Sequence, residues 1–353
     1  MKEMKLDDFM DITVSRSVKI IDAMKNLDKT GKKIVFVLDG TVLKAALTDG
    51  DIRRHILRGG SLEDNVLRAA NKNPVSIPED GLREAEDVMD GHGIDALPVV
   101  DGSGNLVSVL FEKSFKKAAP KFEEDVPVVI MAGGKGTRLY PYTKILPKPL
   151  IPIGDMPILE HIIGRFYECG SKTFFLVLNH KKNMIKSYFN DIEKGYALQY
   201  VDEDRPLGTG GGLSLLKGRI KGSVFVSNCD VLIDANYSDI YSFHKKSGNL
   251  ITMICAFKHI TVPYGVVDIG EGGSILGMEE KPEFSFMVNT GMYLIEPRVI
   301  EEMPDDTEAG LPDIVDKYRL AGEKVAVYPI GEKAWMDMGQ IEELEEMRSR
   351  MGL

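Results

Sequence analysis

Cysteine is scarce in this sequence. The three present, Cys169, Cys229 and Cys255, are odd in number, scattered, and form no C-x-x-C pair. That argues against a disulfide framework or a cysteine zinc site and fits a reducing cytoplasm. Long apolar runs are missing too. None reaches the ~18 residues that a bilayer span needs. The opening M-K-E-M-K-L-D-D-F has no long apolar core, so neither a signal peptide nor a membrane is expected. Positive charge is in deficit, with 44 Lys and Arg against 54 Asp and Glu and a formal net charge of −10. Nucleic acid is bound by basic surfaces, so it is not an expected partner. Any phosphate ligand must instead meet a local basic pocket. What remains is a soluble globular composition, 43% hydrophobic and 28% charged, in a 353-residue chain long enough for two or three domains.

An internal repeat organises the first ~115 residues. Val35 to Gly40 (VFVLDG) echoes Leu97 to Gly102 (LPVVDG) at an offset of 62 residues. Upstream, Ile12 to Ser15 answers Pro74 to Ile77; downstream, Leu43 to Thr48 answers Leu106 to Phe111. Each unit reads as a short strand, a helix with apolar spacing, then two strands around a turn. In this the segment resembles a tandem pair of CBS domains. In that family a T-x-x-D after the last strand contacts the ribose and phosphate of an adenine nucleotide. The first repeat has it as Thr48 and Asp51; the second has Phe111 and Ser114 in the matching places, so at most one standard site is expected. The alternative is that Thr48 and Asp51 only cap the following helix.

The charged, proline-broken stretch from Lys116 to Asp125 reads as a connection. The expected organisation is a regulatory CBS pair over 1–118, a linker over 119–125 and a second domain over 126–353. In the second domain, strands are expected at 126–131, 173–178, 198–201 and 224–227, with helices at 158–169, 182–189 and 211–216 between them. Continuous β-branched strands alternating with helices indicate an α/β doubly wound, mostly parallel, Rossmann-like sheet covered on both faces. Ligands of such sheets bind at the carboxyl ends of the strands, and there the chemistry-bearing stretches fall.

After the strand at 126–131 comes Ala132-Gly133-Gly134-Lys135-Gly136-Thr137-Arg138-Leu139. It fits neither the dinucleotide fingerprint nor a Walker A loop. Its glycines let backbone N–H groups approach phosphates, and Lys135 and Arg138 add charge. In Pro147-Lys148-Pro149 a proline on each side restricts where Lys148 points. The A-G-G-x-G-T-R-L and P-K-P-L stretches together resemble the sugar-phosphate nucleotidyltransferases, whose domain is GT-A-like. Those enzymes join a sugar 1-phosphate to a nucleoside triphosphate and release pyrophosphate.

Further motifs of that family follow in order. Glu203 to Gly211 (EDRPLGTGG) matches E-x-x-P-L-G-T-A-G, with Gly210 for alanine; Glu203, Pro206, Gly208 and Thr209 join the nucleotide side, the glycines letting a planar base lie on backbone. A carboxylate at Glu203 could accept from N1–H and the 2-amino group of guanine. Asp230, preceded by Cys229 where the family has glycine, and Asp337, in W-x-D-x-G, suit one Mg²⁺ bridging phosphates. By resemblance, Tyr264 and Gly265 (Y-G-V), Glu280 and Lys281 (E-K-P) and Asn289 (N-x-G) hold the sugar phosphate. Asn179 and His180 fall near the base.

The implied reaction has the sugar phosphate attack the α-phosphorus, with catalysis by positioning and charge neutralisation. Arg138, Lys148, Asp230 and Asp337 form the expected catalytic set. A CBS pair before a short transferase, with no left-handed β-helix after it, resembles guanylyltransferases that supply GDP-linked amino sugars to nonulosonic acid assembly. GTP and glucosamine 1-phosphate are therefore the expected substrates. Mannose or a heptose 1-phosphate, or CTP, UTP or dTTP, remain open, as does a non-catalytic nucleotide sensor. By analogy with paired CBS units, a homo-oligomer is expected.

Overall fold

The structure, a computed structural model, describes residues 2–5, 10–111 and 121–352. Ser114 and the first part of the connection lie outside them. The chain divides into two compact units, Met1–Lys117 and Ala118–Leu353.

The N-terminal unit carries strands β1 (Lys2–Lys5), β2 (Thr13–Ser15), β3 (Ile34–Asp39), β4 (Val42–Thr48), β5 (Ile77–Pro78), β6 (Ala96–Val100) and β7 (Leu106–Phe111). They form two sheets, β2-β3-β4 and β1-β7-β6-β5. The two repeats share one core, in which Ile12, Phe36 and Ala46 meet Ala96, Leu106 and Val109. Their equivalent hairpin turns are tied together: Leu43 N–H donates to Gly104 O at 3.0 Å, and Leu106 N–H to Thr41 O at 2.9 Å. Helix Ile20–Thr30 buries Ile20, Ala23, Met24 and Leu27, the apolar stripe its 3.6-residue spacing dictates, and ends on Gly31 in the left-handed region.

In the C-terminal unit Phe122 docks early. Its N–H donates to Cys169 O at 2.8 Å, and its ring lies 6.0 Å from that of Phe225. Asp125 accepts from Lys172 N–H and Thr173 Oγ1 at 2.6 and 2.7 Å. The stretch 121–125, expected as linker, is thus packed against this unit. Its strands are β8 (Val128–Met131), β9 (Pro152–Ile153), β10 (Met156–Pro157), β11 (Thr173–Leu178), β12 (Ala197–Asp202), β13 (Val224–Asn228), β14 (Val231–Ile233), β15 (Ile251–Thr261), β16 (Gly265–Ile269), β17 (Ile275–Glu280), β18 (Glu283–Ile295), β19 (Val325–Ile330) and β20 (Trp335–Asp337). Strand β8 begins at Val128 because Pro127 has no N–H for the ladder, although its carbonyl accepts from Phe225 at 3.1 Å.

Seven strands form one sheet in the order β12-β11-β8-β13-β18-β15-β19. All neighbours are parallel except β18, which runs antiparallel to β13 and β15. The mostly parallel α/β fold is therefore as expected, with one reversed strand in its middle. Val128 and Ile130 face one buried cluster, Val129 and Met131 the other, so both faces are covered. Helix Ile158–Glu168 closes the first face with Ile162, Ile163 and Phe166. Because β18 is reversed, its first residues emerge at the same edge as the last residues of β8, β11, β13 and β15. The helix expected at 211–216 is instead a single turn, Gly208–Gly211, followed by a 3-10 segment, Gly212–Leu216. Consecutive glycines are poor helix formers, and this stretch is shaped by its neighbours.

One charge in the N-terminal unit gives a test. Asp49 opens helix Asp49–Leu57; burial, then repulsion from Asp28, raises its carboxyl to about 6. The folded value lies above the unfolded 3.8, so the ionised form penalises the fold above about pH 6, and the penalty fades as the pH falls toward 4. Asp49→Asn should raise the unfolding midpoint of this unit at pH 8, by up to about 3 kcal/mol in stability, and leave it unchanged near pH 4. An equal shift at both pH values would contradict this.

Candidate active site

The loop after β8 lies at the carboxyl edge. Ala132 N–H donates to Val177 O at 2.8 Å, continuing the pairing with β11 before the chain leaves the sheet. Ala132 is buried; Gly134, Lys135, Thr137 and Arg138 are exposed. Gly136 lies in the left-handed region (φ 64°), and a Cβ there would sit 3.0 Å from both Lys148 Cβ and Thr143 Cγ2. Only glycine lets the loop lie on the lysine stem. Thr143 Oγ1 pins the same residue by donating to Gly136 O at 2.8 Å.

Lys148 begins a 3-10 turn, Lys148–Leu150, and is 8% exposed. Its ammonium is ion-paired to Asp230 Oδ2. Asp230 lies in the turn between β13 and β14, and β14 pairs antiparallel with β20, Val231 opposite Asp337. Met338 N–H donates to Asp230 O at 2.9 Å. This small second sheet brings together two aspartates 107 positions apart in the sequence. Asp337 ends strand β20; the C-terminal helix begins only at Ile341. Burial raises the Asp337 carboxyl to about 6; the charges of Asp230 and Glu343 add to this, and Lys148 opposes it.

Glu343 was not among the expected residues. It accepts from Gln340 N–H at 2.8 Å as a helix-capping side chain. A Cβ on Gly339 would lie 2.9 Å from both Asp337 Oδ2 and Glu343 Oε2 and 3.6 Å from Arg138 Nη1. Arg138 therefore reaches the carboxylate cluster from the glycine-rich loop. In sequence Glu343 is one of several glutamates in an amphipathic helix, with no signal of its own.

Glu203 follows β12 and is buried at 4% exposure. Its Oε1 has no hydrogen-bond partner. Burial raises its carboxyl, against one backbone N–H from Leu207 that holds it down. The carboxylate lies between two glycines: a Cβ on Gly133 would meet Oε2 at 2.8 Å, and one on Gly212 would meet Oε1 at 2.5 Å. Asn179 orients the residue by donating from Nδ2 to Glu203 O at 3.1 Å. His180 N–H donates to Gly133 O at 3.3 Å, tying the tip of β11 to the loop.

The glycines after Glu203 also have a packing reason. A Cβ on Gly208, Gly210 or Gly211 would meet Ala309 O at 2.6 Å, Ile314 Cδ1 at 2.6 Å and Thr307 O at 2.3 Å. They are small because the 307–314 segment packs on them. Thr209 Oγ1 accepts from Leu311 N–H at 3.2 Å, capping helix Leu311–Leu320; Pro206 is exposed beside it.

Of the residues expected on the sugar side, Tyr264, Gly265, Glu280 and Lys281 come together where β15 leaves the sheet and β18 returns, whereas Asn289 lies deeper in the sheet, opposite Cys255. Gly265 of β16 is paired with Glu280 of β17, whose Oε2 lies 3.0 Å from where a Gly265 Cβ would be. Lys281 adopts a left-handed conformation (φ 50°), and its N–H donates to Tyr264 O at 3.2 Å. Asn289 is tied within its own strand, donating to Tyr293 Oη at 2.5 Å and accepting from Gly291 N–H at 2.9 Å. In the N-terminal unit Thr48 and Asp51 form a full capping box, and Asp51 also pairs with Arg54 at 2.5 Å.

The geometry is that of a glycine-rich loop, a buried lysine and paired aspartates at the carboxyl edge of an α/β sheet. The nucleotidyl transferase family model matches residues 127–351, and the chain belongs to that family. A CBS domain model matches residues 66–121, covering the second repeat. A mannose-1-phosphate guanylyltransferase of Mycobacterium tuberculosis is 30% identical over 223 residues, 62% of this chain and 62% of that protein. A UTP–glucose-1-phosphate uridylyltransferase of Synechocystis is 32% identical over 234 residues, 60% of each. The chain thus spans about three fifths of the length of these relatives. In fold it is similar to HddC from Yersinia pseudotuberculosis, with a TM-score of 0.51 and 23% identity over 64% of this chain and 99% of that one. The same protein has been solved complexed with GMP-PN. Among the described residues no helix is long and apolar enough to cross a membrane.

Gly212→Ala tests the placement of Glu203, since its methyl would stand against the carboxylate and Val177 Cγ1. Nucleotide affinity measured by calorimetry should fall about tenfold or more, roughly 1.4 kcal/mol, with the fold retained by circular dichroism. Unchanged affinity would show that this carboxylate is not at the base.

Proposed function

We propose that this chain transfers GMP from GTP to a sugar 1-phosphate, glucosamine 1-phosphate, with release of pyrophosphate. The observation that carries the base assignment is the buried Glu203 carboxylate with its unpartnered Oε1. Guanine presents two adjacent donors, N1–H and the 2-amino group, which a carboxylate accepts together. Uracil and thymine present one donor flanked by two carbonyl acceptors, which would stand against the same oxygens. For the sugar, the Glu280 carboxylate beside Gly265 suits the 2-ammonium of an amino sugar, and Lys281 suits its phosphate.

A phosphate monoester is already anionic at neutral pH, so no general base is needed. The barrier is the approach of two polyanions, and the chain's work is alignment and neutralisation. Lys135 and Arg138 hold the leaving pyrophosphate. Lys148, positioned by Gly136 and the flanking prolines, stabilises charge on the α-phosphoryl group. The sugar phosphate oxygen forms its bond to the α-phosphorus as the bond to the β-phosphate oxygen breaks. Asp230 and Asp337 are the residues that would hold a divalent cation, Mg²⁺. The fit rests on two hard-oxygen carboxylates held together against their own repulsion, with an ammonium as their nearby countercharge. Such an ion would supply Lewis-acid neutralisation of the phosphates. In the CBS unit, Thr48 and Asp51 are the proposed contacts for an adenine nucleotide.

Pyrophosphate release with each of GTP, CTP, UTP and dTTP against glucosamine, mannose and heptose 1-phosphates tests this reading. Release is expected with GTP and glucosamine 1-phosphate. Glu203→Gln should lower kcat/KM for GTP by roughly 10- to 100-fold, the value of a hydrogen bond to a charged group, and narrow the gap to UTP. Nucleotide binding without release for any pair would overturn the activity and leave a sensor.

A further inference from the structure

The two prolines that restrain Lys148 also take hydrogen-bond donors away from the turn before it. Helix Tyr142–Ile145 closes one bond of its own, Leu146 N–H to Tyr142 O at 3.1 Å. The next donors in that register would come from residues 147, 148 and 149. Pro147 and Pro149 have no N–H. The backbone turns extended at Leu146 (ψ 142°), so the helix cannot continue to Lys148. The carbonyls of Thr143, Lys144 and Ile145 therefore need donors from elsewhere.

One side chain supplies them. Lys181 Nζ donates to Thr143 O at 3.0 Å, Lys144 O at 2.7 Å and Ile145 O at 2.9 Å, the full donor capacity of an ammonium. Lys181 stands between β11 and helix Lys182–Asp191, and its backbone is left-handed (φ 52°). An L side chain adopts that region reluctantly, and keeps it where the surroundings demand it. The two residues before it are tied as well, Asn179 Nδ2 to Glu203 O and His180 N–H to Gly133 O. One tripeptide thus meets Glu203, the start of the glycine-rich loop and the turn that follows it.

We propose that Lys181 is a positioning residue for nucleotidyl transfer, bracing the glycine-rich loop and Lys148 against the strand that orients Glu203. The path is short. Thr143, whose carbonyl Lys181 holds, donates its hydroxyl to Gly136 O at 2.8 Å, and Gly136 lies on the Lys148 stem. Lys181 itself touches no substrate; it sets the spacing between the groups that meet the phosphates and the carboxylate that meets the base. Charge alone does not give it this place, since neighbouring Lys182 pairs with Asp202 at 3.2 Å instead. The consequence for the reaction rests on the function proposed above; the brace does not.

Lys181→Met in the full chain tests this, with Lys182→Met as control. Without substrate, hydrogen–deuterium exchange of the amides over 137–146 should quicken about tenfold or more in Lys181→Met, while β11 and helix Ile158–Glu168 keep their protection. With the substrate pair that the wild type uses, kcat for pyrophosphate release should fall about tenfold or more. The KM for the sugar phosphate should stay within about twofold, because its expected contacts lie between β15 and β18. Lys182→Met should match the wild type in each measurement. Unchanged exchange over 137–146 would overturn the brace. Faster exchange with an unchanged kcat, or an equal loss of kcat in Lys182→Met, would overturn the positioning role. A wild type that turns over no pair would overturn the function proposed above, and the exchange result would still decide the brace.

Discussion

The ion pair between Lys148 and Asp230 is the interaction on which the site depends. A buried lysine is tolerated only with a partner, and a pair of neighbouring carboxylates only with a cation. Each answers the other's need. The surrounding architecture makes the meeting possible. Two prolines and the close approach of Gly136 fix the lysine stem, and pairing of β14 with β20 fixes both aspartates. A charge cluster of this kind contributes little to stability on its own, because desolvation opposes it. Under the proposed function, its use is to meet polyanionic substrates.

The reversed strand β18 determines what can stand beside that cluster. It takes the place next to β13, so the Asn289–Gly291 segment comes up beside Asn228, two residues before Asp230. A Gly291 Cβ would lie 2.5 Å from Asn228 Nδ2. The excursion between β15 and β18 contains the β16–β17 pair. The Gly-rich loop, the Glu203 carboxylate, Asp230 and the Asn289–Gly291 segment thus come from the ends or edges of different strands, with Asp337 added from the small β14–β20 sheet. That is the general way open α/β sheets build sites.

Much of this was legible in the sequence, for physical reasons that can be named. Helix Ile158–Glu168 follows its apolar spacing, and strand Thr173–Leu178 its continuous apolar run, since both record burial directly. Lys148 between two prolines declares its own restraint. Three features were not legible. The direction of β18 depends on partners 22 to 71 residues away in the sequence, which no local pattern encodes. The packing of Gly208, Gly210 and Gly211 against the segment 307–314, about a hundred residues on, leaves no local signal. Glu343 looks like any glutamate on a solvated helix until the cap at Gln340 turns it toward Asp337.

Under the proposed function, Lys148 serves as the countercharge of a cation site formed by Asp230 and Asp337. Titration with Mn²⁺ followed by electron paramagnetic resonance, on wild type and Lys148→Met without nucleotide, addresses it most directly. With the ammonium gone, the variant should bind Mn²⁺ about tenfold more tightly or better, roughly 1.4 kcal/mol. Equal or weaker binding by Lys148→Met would contradict the account.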